Sequence, residues 1–135
     1  MIYLDTSAYL TVLFEETGSK QIEKILHNKK LFSSSFMFLE AERNIIHYGR
    51  QKRISTNLFE EAIERIRSDV EGFQVKELSH DQLFTRIFPA IRTPKSADLV
   101  HLRTAVWFLN NGGLELFVTA DDHQRQSARE LGIPV

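Results

Sequence analysis

The feature that most constrains this chain is a short apolar segment at its start that ends in an acid. Ile2, Tyr3 and Leu4 form a run of β-branched, aromatic and aliphatic residues with no helix breaker or strand breaker, which predicts a buried strand. Asp5 follows directly, and a helical pattern begins just after it. In an open parallel sheet the carboxyl ends of the strands line the crevice where ligands bind. The sequence therefore places Asp5 where chemistry takes place in such folds.

Strand patterns and helical patterns alternate along the rest of the chain. Further strands are predicted at 31–35, 73–78 and 116–120, and Ile133–Val135 is predicted to start a short edge strand. Helical patterns separate them, including one that Gly49 is predicted to end and one that Pro94 is predicted to open. This alternation is typical of a parallel sheet covered by helices on both faces. With 135 residues and no repeat or linker, we expect one α/β/α domain spanning residues 1–135.

Composition narrows the chemistry that such a domain can carry. The chain has no cysteine, which excludes disulfides and thiolate metal sites and leaves carboxylate and imidazole as the strong ligands. Its 17 basic residues balance 18 acidic ones, so nucleic-acid binding would depend on local clusters. No apolar run is long enough to cross a membrane, and the strand pattern begins without a signal peptide before it. We therefore expect a cytoplasmic protein that does not bind membranes.

Two acids occupy the same kind of position. Asp5 and Asp121 each close an apolar strand and precede a helix. Capping the helix is the commonest role of an aspartate at such a position. Two acids at one edge of a sheet, however, would repel each other unless a cation or a shared proton relieved them. The pair therefore predicts a cation site more strongly than either residue does alone.

Two further acids are candidates for the same site. Asp98 lies early in a helix that is apolar nearly all round, so it is predicted to be buried and to need a partner. Glu40 and Glu42 lie on another helix, and their side chains point about 200° apart. Only one of them can face Asp5, and the periodicity does not choose between them. Carboxylates without cysteine or clustered histidine form a hard-oxygen site, which suits Mg²⁺ or Mn²⁺.

Several other polar residues accompany these acids. His101, three residues after Asp98, is interpreted as a packed core histidine, with support of the acidic site as the alternative. Thr6, Ser7 and Thr119 either orient metal-bound water or cap helices. The densest basic cluster, Arg50, Lys52 and Arg53, follows the helix that carries Glu40. Contact with phosphates and a solvated helix end are equally good interpretations of this cluster.

Four segments of the chain resemble, in order, the motifs of PIN domains, the nuclease fold of VapC-type toxins. The serine six positions before Glu40 and the arginine three positions after it are similar to the family pattern, as is the histidine that follows Asp98. Asp122, directly after the fourth acid, departs from the pattern and is a possible further contact to metal through water. The segments are Tyr3–Ser7, Ser34–Arg43, Ser96–Leu102 and Val118–Val135.

The resemblance implies both a structure and an activity. It implies a three-layer fold with a mainly parallel five-stranded sheet, and it favours Glu40 over Glu42 as the second acid. It implies a ribonuclease that hydrolyses RNA with Mg²⁺ or Mn²⁺ as cofactor. It further implies a homodimer and a cognate antitoxin, as expected for the toxin of a type II toxin–antitoxin pair. The catalytic and metal-binding residues implied are Asp5, Glu40, Asp98 and Asp121.

The main alternative is a protein of the same fold that binds RNA or protein without catalysis. The presence of all four acids counts against it. An aspartyl phosphatase would carry a second acid two residues after Asp5, where Ser7 stands. A receiver domain would need a lysine at the end of a late strand, and Thr119, Ala120 and Asp121 supply none. A metal-dependent ribonuclease is therefore the function that the sequence favours.

Overall fold

A computed structural model of the protein describes residues 1–84, 87–93 and 95–135. Strands alternate with helices, and the protein is an α/β protein with a parallel sheet, as predicted. The strands are β1 (Ile2–Leu4), β2 (Leu31–Ser34), β3 (Phe73–Lys76) and β4 (Leu116–Val118). The helices are α1 (Thr6–Leu13), α2 (Ser19–Leu26), α3 (Ser35–Arg50), α4 (Thr56–Asp69), α5 (His80–Phe84), α6 (Ser96–Gly112) and α7 (Asp122–Glu130). A 3₁₀ turn, Val70–Gly72, joins α4 to β3.

The sheet has the strand order β3-β2-β1-β4, and every pair of neighbours is parallel. The predicted N-terminal strand is therefore an inner strand, between β2 and β4. Because all strands run the same way, the residues that follow β1, β2 and β4 lie at one edge of the sheet. The backbone N–H of Asp5 donates to the carbonyl of Val118 at 3.1 Å, which ties the end of β1 to the end of β4.

The prediction of a fifth strand is wrong, because the sheet of the described chain has four. The carbonyl of Pro134 accepts one hydrogen bond from the N–H of Phe117 at 2.7 Å, so the C-terminal segment lies beside β4. Proline has no N–H with which to continue the ladder. One hydrogen bond does not make Ile133–Val135 a strand.

Two predicted helix boundaries also need comment. Gly49 does not end α3, which continues to Arg50. A Cβ at Gly49 would lie 2.9 Å from the ring of Phe59, so the glycine allows α4 to approach α3. Lys52, with a φ of 54°, turns the chain instead. The predicted opening of α6 at Pro94 falls outside the described residues, and the helix is described from Ser96.

Alternate residues of β1 contribute to different apolar cores. Ile2 and Leu4 pack with residues of α1, α3 and α4, whereas Tyr3 packs with residues of α6 and α7. Successive side chains of a strand point to opposite faces of its sheet, so helices contact both faces of β1. No helix in the described residues combines the length and the apolar character that crossing a bilayer requires.

Candidate functional site

Asp5 is buried at the carboxyl end of β1, with 1% of the residue exposed. It caps α1, because its Oδ1 accepts from the N–H of Ala8 at 2.9 Å. The Ser7 hydroxyl donates to the same carboxylate at 2.8 Å. Burial raises the pKa of Asp5, while the charge of His101 and hydrogen bonds from Thr119, Ala8 and Ser7 act to lower it. The net direction is upward, because burial disfavours the ionised form.

Ser7 and Thr119 connect the end of β1 to the end of β4. Their hydroxyl oxygens lie 3.1 Å apart, and Ser7 Oγ also accepts from the N–H of Ala120 at 2.9 Å. Thr119 Oγ1 accepts from the N–H of Asp121 at 3.0 Å. The sequence left open whether Ser7 and Thr119 cap helices or orient metal-bound water. Neither hydroxyl caps the helix that follows, because Asp5 and Asp121 are the N-caps of α1 and α7. They form a polar link between the two strand-terminal acids.

The structure places Glu40, and not Glu42, next to the end of β1. Glu40 Oε2 accepts from Thr6 Oγ1 at 2.5 Å, while Glu42 is exposed to solvent. Burial acts to raise the pKa of Glu40, but hydrogen bonds from His101 and Thr6 and the charges of His101 and Arg43 outweigh it and lower that pKa. Glu40 is therefore the glutamate that reaches the candidate site, and it is held in its ionised form.

His101 is a buried bridge, with 2% of the residue exposed. One ring nitrogen lies 2.9 Å from the Tyr3 hydroxyl, and the other lies 2.9 Å from Thr6 Oγ1 and 3.4 Å from Glu40 Oε2. The histidine is thus packed and satisfied, as interpreted from the sequence. It also lies beside Glu40 and Thr6, which agrees with the alternative interpretation that His101 supports the acidic site.

Asp98 lies in the first turn of α6 and is buried, as the sequence predicts. Its partner is Thr93, whose hydroxyl donates to Oδ2 at 2.5 Å. The acid therefore has a hydrogen-bond donor at the buried start of the helix. No direct contact joins it to Asp5 or Glu40 among the described hydrogen bonds.

Asp121 caps α7 with Oδ1, which accepts from the N–H groups of His123 and Gln124 at 2.8 and 3.2 Å. Lys95 Nζ lies 3.9 Å from its other oxygen. The sequence did not single out Lys95, because it lies far from Asp121 along the chain and no local pattern pairs the two residues. The side chain of Asp122 is 89% exposed to solvent and pairs with Arg125, so it is not part of the group of acids at the sheet edge.

The four predicted acids are thus brought to one edge of the sheet to different degrees. The carboxylate of Asp5 is linked through Ser7 and Thr119 to the backbone N–H of Asp121, and Glu40 is linked to the start of α1 through Thr6. Within residues 1–84, 87–93 and 95–135, no three or more His, Asp or Glu side chains are grouped so that they could hold a metal ion. The expected convergence on a ready-made metal cluster is not seen.

The basic cluster of Arg50, Lys52 and Arg53 is exposed at the end of α3. Arg53 lies over the ring of Tyr48 at 4.5 Å, which fixes one of the three cations. Ten residues of helix separate Glu40 from Arg50, a distance of about 15 Å at 1.5 Å per residue. The cluster is therefore remote from the acids but lies on the same helix.

The chain matches no known protein-family model, and no curated protein matches it in sequence. The resemblance to PIN domains consequently depends on the sequence motifs alone.

Proposed function

We propose that this protein is a metal-dependent endoribonuclease of the PIN-domain, VapC-like type. One observation carries the proposal: Asp5 and Asp121 close neighbouring parallel strands and are joined through the hydroxyls of Ser7 and Thr119. Glu40 reaches the same region through Thr6. This is the edge of a parallel sheet at which ligands bind in open α/β folds.

The proposal includes the finer architecture and the partners that the resemblance implies. A three-layer α/β/α arrangement is supported by the two apolar cores, which take alternate residues of β1. A homodimer, a cognate antitoxin and the role of a toxin in a type II pair belong to the same proposal. So does a cytoplasmic location.

The donor chemistry of these residues fits a hard divalent cation. Asp5 is buried and forms no ion pair within the described part of the chain, and an unpaired buried carboxylate is unfavourable. Mg²⁺ usually keeps several waters and is bound by one or two carboxylates together with substrate phosphates, so a group of three ligands is not required. Asp5 and Glu40, with Asp98 and Asp121, would hold Mg²⁺ or Mn²⁺. When bound, such an ion lowers the pKa of a water molecule and neutralises charge on a phosphate.

The protein's own contribution is to hold and orient these carboxylates. Ser7 and the N–H of Ala8 fix Asp5, while Thr6 and His101 fix Glu40. The lowered pKa of Glu40 keeps this residue ionised at neutral pH. No side chain acts as a covalent nucleophile in this proposal. Because an acidic edge repels RNA, both binding and cleavage should need the cation.

Basic residues outside the acidic edge complete the proposal. The cluster at the end of α3 would bind phosphates that flank the cleaved bond, which makes affinity fall as salt rises. Arg53→Ala should weaken RNA binding modestly and for all sequences alike, while cleavage at saturating RNA persists. The acidic edge itself reads little or no sequence.

The test is an RNA-cleavage assay on the purified protein, free of any antitoxin. RNA is incubated with Mg²⁺, with Mn²⁺ or with chelator. Asp98→Asn and Glu40→Gln should each lower the cleavage rate by about a hundredfold or more, because a carboxylate that would hold the cation beside the phosphate is lost. Glu42→Gln, on the same helix but exposed, is the matched control and should cleave like wild type. Cleavage that survives chelator, or that Asp98→Asn retains, would contradict the mechanism.

A second candidate is a protein of this fold that binds RNA or another protein without hydrolysis. It is favoured by the lack of a three-ligand group in the described residues and by the capping bonds that engage Asp5 and Asp121. Calorimetric titration with Mn²⁺ separates the two candidates. Saturable binding that Asp5→Asn abolishes supports the nuclease, whereas no heat of binding supports the alternative.

A further inference from the structure

A cavity of about 490 Å³ opens beside Glu40. Phe36, Leu39 and Arg43 of α3 and Ala97 of α6 complete its wall. Its volume lies in the range of small-molecule sites, which combine mostly apolar walls with a few placed polar groups. Here the polar groups are one carboxylate and one guanidinium. Neither the proposed metal ligands nor the basic cluster at the end of α3 accounts for the apolar part of this cavity.

The apolar wall is partly exposed to solvent and partly anchored. Leu39 is 62% exposed, an unusual degree for a leucine beside a candidate site. The ring of Phe36 is half-buried and packs edge-on against His101 at 6.4 Å between ring centroids. His101 is in turn held by Tyr3 and Thr6, so the Phe36 ring packs against an anchored neighbour. The cavity therefore presents to a ligand an apolar surface made of a packed aromatic ring and an exposed leucine.

The two charged groups of the cavity differ in exposure: Glu40 is half-buried and accepts from Thr6, whereas Arg43 is exposed and can contact an anionic group. Arg43 follows Glu40 by three residues on α3, and both line this cavity. In the part of the chain that the structure describes, Arg43 forms no ion pair within 4.0 Å. A cation next to an apolar wall complements a nucleotide, which has a flat apolar face and a phosphate.

We propose that this cavity is a subsite for one unpaired nucleotide of the RNA, with its base against Phe36 and Leu39 and its phosphate bound by Arg43. The inference rests on the proposed function and deepens it, because it makes single-stranded RNA the substrate. Stacking on an aromatic ring accepts every base, so this subsite selects for an unpaired strand and not for sequence. A base within a duplex is stacked on its neighbours and cannot enter.

The experiment measures binding and not cleavage. A short unpaired RNA carries the fluorescent base 2-aminopurine at successive positions. It is titrated, with Mg²⁺ present, onto protein with the Asp98→Asn substitution, which should eliminate cleavage while Asp5, Glu40 and Asp121 remain to hold the ion. We expect a fluorescence change at one position or at two adjacent ones. Adding Phe36→Leu, which keeps an apolar side chain of similar size, should weaken binding about tenfold and remove that change. A duplex of the same sequence should bind equally to both proteins.

Matched variants on α3 test the other walls. Leu39→Ala should weaken binding of the unpaired RNA, whereas Ile46→Ala should not, although Ile46 is 50% exposed on the same helix and lies outside this cavity. Arg43→Gln should weaken binding and reduce the salt dependence by about one phosphate contact. Circular dichroism confirms that each variant is folded before binding is compared.

The inference would be overturned if unpaired RNA bound with equal affinity to wild type, Phe36→Leu and Leu39→Ala, or if it did not bind at all. The alternative occupant of the cavity would then be an apolar side chain of a protein partner. The experiments distinguish failure of the subsite from failure of the proposed nuclease function. Metal-dependent cleavage without an effect of Phe36→Leu removes only the subsite. An effect of Phe36→Leu on binding, without cleavage by the wild type in any metal, keeps the subsite and removes only the nuclease.

Discussion

Asp5 and Asp121 share a local motif but not an environment. Each follows an apolar strand and caps the next helix by accepting backbone N–H groups. Asp5 is 1% exposed, and burial raises its pKa. The side chain of Asp121 is 28% exposed and lies 3.9 Å from Lys95. The difference follows from the strands, since β1 is an inner strand of the sheet and β4 is at its edge.

This comparison shows that one sequence motif can produce two kinds of acid. The cap is a local interaction and forms at both positions. Burial depends on what covers the end of the strand, and Asp5 contacts both the first turn of α1 and the end of β4. An ionised carboxylate at the covered position is unfavourable unless it is paired, whereas the one at the edge remains accessible to solvent.

The largest expected effect is on the stability of variants at Asp5 and Asp121. These variants test the capping hydrogen bonds of the two acids separately from their charges. Asparagine at either position keeps a good cap without charge, and alanine removes the cap. Asp5→Ala should be less stable than Asp5→Asn by about 2–4 kcal/mol, because the buried N–H of Ala8 and the half-buried hydroxyl of Ser7 lose their acceptor. The corresponding difference between Asp121→Ala and Asp121→Asn should be about 1 kcal/mol. Urea unfolding followed by circular dichroism gives both differences.

Equal differences at the two positions would show that burial does not distinguish these caps. The m-value serves as the internal control, because a changed slope would indicate an altered unfolded or native state and not a lost hydrogen bond.

A smaller effect concerns the charge of Asp5. Because burial raises its folded pKa above the ordinary value of 3.8, the wild type loses stability as pH rises from that value through the raised one. Asparagine does not titrate. In chelator, Asp5→Asn should therefore melt higher than wild type at pH 7, and the gain should disappear as pH falls toward the ordinary value.

Mg²⁺ sharpens this test, because only the wild type keeps the charged ligand. The gap between Asp5→Asn and wild type should shrink or reverse as Mg²⁺ is added. Asp121→Asn, at the solvent-exposed end of β4, should show no comparable gain in chelator. A melting-temperature gap that is independent of both pH and Mg²⁺ would mean that Asp5 is an ordinary cap.

The smallest expected effect is at the exposed acid. Lys95→Gln removes the cation near Asp121, and exposed pairs of this kind contribute at most about 0.5–1 kcal/mol. The loss of stability should fall within that range at low salt and vanish at 1 M salt, where the Debye length is about 3 Å. Lys20→Gln, at an exposed position on α2, is the control. A larger loss that persists at high salt would show that Lys95 acts through packing.

The sequence predicted the succession of strands and helices along the chain, the parallel sheet and the burial of Asp98. These features depend on local patterns of apolar residues and on the alternation of elements. The fifth strand was predicted wrongly, because the pattern of Ile133–Val135 does not show that Pro134 leaves the ladder with one hydrogen bond. Gly49 was interpreted as a helix end, whereas it provides room for Phe59. Such close approaches between helices leave no periodic signal.

The sequence by itself determined the strand–acid–helix motifs around Asp5 and Asp121, because strand propensity and capping act between residues close in the chain. Only the tertiary structure decided that His101 bridges Tyr3 and Thr6, and it places beside Thr6 the residue Glu40, which the resemblance favoured but the periodicity did not choose. The residues of the two His101 contacts are 98 and 95 positions apart. Contacts at such separations depend on how helices pack over the sheet, and that packing is set by the whole core and not by any one segment.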